Sequence, residues 1–502
     1  MQRRDFLKLG ASASVGASVS TSLAGASAPS SCPRLSGSSS AAPAILTSYD
    51  ELQHRRRLEN IALGNRSIRK CLRKHLITDY LPGHCCYNLG EYPAEKIWNP
   101  DEWDERELDA LQRHGIRLIQ VHEEWNDSQR LCGAHKLAAA NPAGFKRFVE
   151  MVHRRGLKII VYVSSGYFDR KDPDFRPEWA GKTDLREIYF RYARCSPASP
   201  GWRAYFLPRV VRLLDEYGVD GLYNDLGYAQ PGVRPEWNSA DQVPAFEETP
   251  THDGALEDFL GLLYAEVNRR GGLVKIHRGG PRSPNTDIKI YDYLWVGEGG
   301  RDGAALREVA KHHRPYVTPC LDMSRAKVER EDDLYLDSIP YLQFPLLLAG
   351  RPFTGERANV PGIEYPPEQK CFWTRHLRAM GRHYQDHPEG PHSYGWWDSC
   401  PGRPEARPTH ARWLRQYLPL VDEGAWAWLE IADSDLFVGP LPPGVVASAF
   451  ANREFHLVLA NYQRTAAEVL TTEAFRPADQ PQAASQRQWK LPARSLSILC
   501  RA

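Results

Sequence analysis

From residue 46 to 75 the chain reads as a polar helix with a modest apolar face made by Leu52, Leu58, Ile61 and Leu63. Beyond it an alternation begins. Short β-rich runs occur at 77–87, 116–122 (IRLIQVH), 158–164 (KIIVYVS), 219–224 (VDGLYN), 273–277 (LVKIH), 288–297 (IKIYDYLWVG), 315–321 (PYVTPCL) and 339–348 (IPYLQFPLLL), with helical periodicity between most of them. Asn99-Pro100-Asp101-Glu102, Asn141-Pro142 and Ser199-Pro200 each set a capping residue ahead of a proline suited to the first helical turn. Gly115, Gly156 and Gly218 are matching left-handed stops. Strands alternating with helices predict a parallel sheet, and eight of them predict a closed (β/α)8 TIM barrel over residues 76–424 of this α/β chain. No G-x-G-x-x-G follows the first strand, which weighs against a dinucleotide-binding sheet. Helical patterns continue at 366–385 and 408–420. From 425 to 502 the texture becomes short strands cut by Pro, Gly and Asn (WAWLEIA, GVVASAF, FHLVLANY, AEVLTT, RSLSILC), which predicts a C-terminal antiparallel β-sandwich.

Composition narrows the class. The 502 residues are 42% hydrophobic and 25% charged, the proportions of a globular protein with a large core. A formal charge of +2 supplies no strong field for nucleic acid or an anionic membrane, and ten cysteines are too few for a disulfide scaffold. Residues 1–28 carry a charged start, a weakly apolar run and small residues suited to a signal peptidase. Within them Arg3-Arg4-Asp5-Phe6-Leu7-Lys8 resembles a twin-arginine export signal, with Gln2 in place of the commoner Ser or Thr. Ala24-Gly25-Ala26 is the favoured cleavage site, because Pro29 follows the alternative Ala26-Ser27-Ala28. Residues 29–45, rich in Ser, Ala and Pro, read as a linker. No later stretch approaches the roughly 18 uninterrupted apolar residues of a membrane helix. The expectation is an exported protein, periplasmic or extracellular, without stable membrane insertion; its oligomeric state is not written in the chain.

In a barrel of this kind chemistry sits at the carboxyl ends of the strands. The expected ends are His84-Cys85-Cys86-Tyr87-Asn88, His122-Glu123-Glu124-Trp125, Ser164-Ser165-Gly166-Tyr167, Tyr223-Asn224-Asp225, His277-Arg278, Trp295-Val296-Gly297-Glu298 and Asp322, with Arg351, Glu356 and Arg357 after the eighth strand. Several carboxylates, a His, an Arg and aromatics at one mouth suit a sugar-cleaving site. Such a site needs one carboxylate to attack or steady the anomeric carbon and a second, of raised pKa, to protonate the leaving oxygen. Asp225 at the tip of GVDGLYND is the candidate nucleophile. Glu298, between two glycines and next to the apolar Trp295 and Val296, is the candidate acid/base. Glu123, Glu124, Trp125, Tyr167, Tyr223, His277, Arg278, Trp295 and Asp322 are candidate substrate contacts, with Trp396 and Trp397 as further stacking surfaces.

GVDGLYNDLGY resembles the strand-4 nucleophile motif of retaining TIM-barrel α-glycosidases, the α-galactosidase and α-glucosidase clans. The resemblance implies a nucleophilic Asp after strand 4 and an acid/base carboxylate after strand 6, roles that fall on Asp225 and Glu298. It implies a carbohydrate substrate, α-linked, a retaining double displacement and no cofactor. Two departures stand: Tyr223 occupies the position where those families often carry Lys or Trp, and their acid/base is usually Asp.

The same residues fit plainer roles. Asp225 suits a helix N-cap after a strand, Glu298 suits an ion pair with a barrel arginine such as Arg278, and the aromatics suit a core. Metal chemistry has little to stand on: His84, Cys85 and Cys86 lack the C-x₂₋₄-C spacing of zinc sites, and no H-E-x-x-H occurs. A structural calcium, a non-catalytic sugar-binding barrel and a metal-dependent TIM-barrel hydrolase stay open as alternatives.

Overall fold

The computed structural model describes residues 50–89, 98–121, 125–126, 137–169, 172–179, 192–225, 252–277, 289–296, 303–311, 317–319, 330–350 and 407–502. The expected signal peptide and linker, the helical pattern at 366–385 and the Trp396-Trp397 pair lie outside them. Helix α1 (Glu51–Ser67) is capped by Asp50, whose carboxylate accepts from the Gln53 amide at 2.7 Å, and passes straight into strand β1 (Ile68–Leu76). This corrects the expectation of helix through residue 75. The segment is extended because it pairs antiparallel with a strand near the other end of the chain, from Ile68 opposite Ser434 to Leu76 opposite Trp426.

The barrel then builds in the expected rhythm. Strand β2 (His84–Asn88) is followed by α2 (Glu102–Arg113), β3 (Leu118–Val121), α3 (Pro142–His153) and β4 (Lys158–Ser164). A short antiparallel pair, β5 (Tyr167–Asp169) with β6 (Tyr192–Arg194), interrupts before α4 (Pro200–Tyr217) and β7 (Gly221–Asp225). Next come α5 (His252–Asn268), β8 (Leu273–His277), β9 (Tyr293–Val296), α6 (Gly303–Lys311), β10 (Val317–Pro319), α7 (Glu331–Ser338), β11 (Leu347–Gly350) and α8 (Arg407–Tyr417). Among the described residues eight strands form one parallel sheet in the order β10-β9-β8-β7-β4-β3-β2-β11, the cyclic order of a TIM barrel with its last strand laid against its first.

Local chemistry accounts for the helices. Asn141 and Ser199 cap α3 and α4 through the Gly144 and Trp202 amides (3.0 and 3.2 Å), each ahead of a proline, and α4 stops at Gly218 in the left-handed conformation. The cap of α2 is Asp101 and not Asn99: Asp101 accepts from the Trp103 amide while Asp104 accepts from the Asp101 amide, a reciprocal capping box. Asp104 also accepts from Tyr87 Oη at 2.8 Å, which pins the helix to β2. Several expected strand limits move, and 288–297 narrows to β9 at Tyr293–Val296. His84–Asn88 is the first barrel strand itself, not its exit, and 339–348 divides into a 3₁₀ turn at Ile339–Tyr341 and β11, separated by Leu342 at φ 59°.

Strands β12 (Trp426–Ser434), β13 (Val445–Ala451), β14 (Phe455–Asn461), β15 (Ala467–Pro477), β16 (Gln486–Leu491) and β17 (Ser495–Arg501) join β1 in an antiparallel sheet, order β1-β12-β13-β14-β17-β15-β16 among the described residues. β14 is buried on both sides. Phe455, Leu457 and Leu459 pack with Trp428, Val469 and Trp489 inside the sheet's own core, whereas Val458 belongs to the core of the barrel. The strand predictions here hold, with β16 an addition.

On β14, burial pushes the His456 imidazole down to about 4. In the unfolded chain it titrates near 6.5, so between those values the unfolded chain takes up a proton that the folded one refuses. Stability is therefore full above pH ~6.5 and falls on acidification, with His456 contributing a loss of about 3 kcal/mol by pH 4. Urea unfolding at pH 7 and pH 4.5 tests this: His456→Phe should flatten the dependence, and an equal loss in both proteins would refute it.

Candidate active site

The site is built from the base of β7 upward. Gly221 opens the strand at φ 146°, and a Cβ there would sit 1.8 Å from the Leu273 carbonyl oxygen of β8, so only glycine allows the two strands to meet. Alternation then sets Tyr223 and Asp225 on one face and Leu222 and Asn224 on the other. Asn224, fully buried, accepts from the Ser165 amide at 3.0 Å, and Trp202 Nε1 of α4 donates to the Ser165 carbonyl at 2.9 Å. The turn after β4 is thereby fixed against β7, and Asp225 is left to face the mouth.

Register brings the neighbours level. Ser164 lies opposite Asp225, Asp225 opposite His277, His277 opposite Trp295, and Trp295 opposite Thr318. Asp225 Oδ2 accepts from Tyr162 Oη at 2.9 Å, and Oδ1 is 3.8 Å from His277 Nδ1. The carboxylate and imidazole side chains are only 19% and 15% exposed, so both are held, yet both reach the mouth. One residue pair deeper, Tyr162, Tyr223, Lys275 and Tyr293 are opposed in the same way. There Tyr223 stacks on Trp295 (ring centroids 5.0 Å apart), the His277 ring lies 5.3 Å from Trp295, and Lys275 Nζ lies 5.1 Å from Trp295 and 5.7 Å from Tyr223. A carboxylate held by a hydroxyl on one oxygen, with the other turned toward an imidazole, can act as a nucleophile or an electrostatic stabiliser at the end of the fourth barrel strand.

The structure brings together Asp225, Tyr223, His277 and Trp295. Tyr223 and Trp295 are buried, 2% and 1% exposed, and form a floor beneath the carboxylate in place of a surface for a sugar. Trp125 is corrected outright: its ring stacks on Phe145 of α3, its Nε1 donates to the Tyr162 carbonyl at 2.8 Å, and it belongs to the core. Tyr167 begins β5, but its side chain lies outside the described residues, as do Glu123, Glu124, Arg278, Glu298 and Asp322 altogether. Sequence reasoning missed Tyr162 and Lys275. The signals were present: a lysine interrupts the apolar run LVKIH, and Tyr162 shares its face of KIIVYVS with Ser164. Among the described residues no group of three or more His, Cys, Asp or Glu is placed to hold a metal ion.

No family model and no curated protein sequence matches this chain. Solved structures do. A GH36 α-galactosidase, AgaA of Geobacillus stearothermophilus in complex with 1-deoxygalactonojirimycin, matches with a TM-score of 0.50 at 11% identity, over 90% of this chain and 59% of its own. An isomaltulose synthase from Klebsiella sp. LX3 matches with a TM-score of 0.50 at 12% identity, over 84% of this chain and 97% of its own. At these identities the likeness is one of fold: a parallel barrel followed by an antiparallel sheet.

Proposed function

We propose that this chain is an exported glycoside hydrolase acting on α-linked sugars by a retaining double displacement, with Asp225 as nucleophile and Glu298 as acid/base. The observation that carries the reading is the Asp225 carboxylate itself: placed at the exit of the fourth strand, anchored by Tyr162 and facing His277. The fold is that of proteins named α-galactosidase and isomaltulose synthase, both of which work on sugars. Asp225 attacks the anomeric carbon as Glu298, two residues beyond β9, protonates the departing oxygen. Glu298 then takes a proton from water, which cleaves the glycosyl–Asp225 ester with a second inversion. His277, beside the attacking oxygen, is suited to a sugar hydroxyl. The residues 1–28 support export before cleavage at Ala26.

The test is stereochemical. Aryl α-galactosides and α-glucosides are hydrolysed in an NMR tube, and the first-formed sugar should be the α-anomer; a β-anomer would make the enzyme inverting. A 2-deoxy-2-fluoro glycosyl fluoride of the preferred sugar should leave its mass on the peptide that contains Asp225. No turnover of any glycoside, with sugar binding intact, would favour a non-catalytic sugar-binding barrel. Tyr162→Phe removes one donor to a charged oxygen, an interaction worth about 1.5–3 kcal/mol, and is expected to lower kcat about 10- to 100-fold with the melting temperature little changed.

A further inference from the structure

We infer that Lys275 is a positioning residue of this site: a buried ammonium beneath Asp225 and His277 that keeps the carboxylate ionised and the imidazole neutral. The inference rests on the assignment of Asp225 as nucleophile. Lys275 is fully buried in the middle of β8, on the same face as His277 and two residues below it, with the apolar Val274 and Ile276 on either side. Packing alone would be served by another aliphatic residue, since an ammonium out of water costs several kcal/mol unless charge or polar groups answer it. Part of the answer is the floor: the Tyr223 and Trp295 rings lie 5.7 and 5.1 Å from Nζ and offer their electron-rich faces. The Asp225 carboxylate lies on the adjacent strand, one residue pair nearer the mouth, where its charge is of the sign that favours the ammonium.

Among the described residues the groups that face this pair come from five strands. Toward Lys275 they are Tyr223 of β7, Tyr293 and Trp295 of β9 and His84 of β2; toward Asp225 they are Tyr162 of β4 and His277 of β8. Among these described residues Lys275 is the one cation of high intrinsic basicity. Its field crosses the barrel: burial first, and the Lys275 ammonium second, hold the His84 imidazole well below its ordinary basicity from the opposite side of the interior. Asp225 stands on the strand paired with that of Lys275, so an ammonium there also favours its ionised carboxylate. Removing the ammonium makes protonation of both Asp225 and His277 easier, so both titrations move upward.

The test uses the full-length protein and three variants. Lys275→Met and Lys275→Gln should each raise the acidic limb of the kcat/KM profile on an aryl α-glycoside by about one pH unit, and raise the His277 Cε1 titration followed by carbon-13 NMR in the same sense. Lys275→Arg, which restores the charge, should bring both back toward the wild-type values. Unmoved titrations in folded neutral variants would overturn the inference. The NMR arm needs no turnover: a moved His277 with no hydrolysis of any glycoside refutes the hydrolase reading alone. If neither neutral variant folds, lysine Cε chemical shifts of the wild type decide. An ammonium at pH 7 supports the inference, and a neutral amine refutes it.

Discussion

Asp225→Asn should turn over aryl α-glycosides at least about 10³-fold more slowly than the wild-type enzyme while melting at nearly the same temperature. The argument is geometric. The amide is the same size as the carboxylate, so the oxygen that accepts from Tyr162 at 2.9 Å can be kept, and the floor of Tyr223 and Trp295 is untouched. What disappears is the negative charge and the nucleophilic oxygen, the two properties that a glycosyl ester requires. The loss should fall on kcat more than on KM, because the ground-state sugar meets a surface of unchanged shape. Restored turnover of Asp225→Gly by azide, with a β-glycosyl azide as product, would mark the vacant position as that of the nucleophile. Full activity in Asp225→Asn would dismiss the assignment and turn attention to the carboxylates Glu123, Glu124 and Asp322.

Gly221→Ala should prevent folding, or lower stability by more than about 4 kcal/mol, although it adds a single methyl group four residues from the chemistry. At φ 146° the added carbon meets the Leu273 carbonyl oxygen at 1.8 Å and the Leu273 carbonyl carbon at 2.8 Å. These are backbone atoms of β8, which cannot turn aside as a side chain would. Either β7 or β8 must shift, and with it the level match of Asp225 and His277. Gly218→Ala is the control: it too stands at positive φ, 68°, but has nothing within 4 Å, so about 1–2 kcal/mol of backbone strain is all it should lose. Chemical denaturation of the two variants side by side would separate them. Equal, mild effects would mean that β7 and β8 do not meet as closely as described.

Much of the barrel was legible in the pattern of apolar runs. KIIVYVS and LVKIH coincide end to end with β4 and β8, because both are nearly all-apolar strands bounded by glycine or a charged turn. Asn141-Pro142 and Ser199-Pro200 announced their helices for the same reason that they cap them. Strand β1 was hidden: KCLRKHL is rich in charge, and its partner lies across the whole barrel sequence. Trp125 was misjudged because a tryptophan beside acidic residues looks the same in sequence whether its ring faces a cleft or a helix. At the site, Asp225 and His277 were readable as consecutive strand exits. Tyr162 and Lys275 left fainter signals, a tyrosine in step with Ser164 and a lysine inside LVKIH, which point to the barrel interior only once the neighbouring strand exits are taken as one mouth.

The pairing of β1 with β12 also sets a timetable for synthesis. Leu76 leaves the ribosome about 350 residues before Trp426, its partner, and at 5–20 residues per second the strand waits roughly 20–70 s. During that interval the nascent barrel grows beside an unmatched ribbon studded with Arg69, Lys70, Arg73 and Lys74, and those like charges discourage it from annealing to another nascent chain. The last segments made therefore capture one of the first. A protein stopped short of β12 would leave its leading strand without the mate it was waiting for, and a cell's quality control would meet a long, half-finished product.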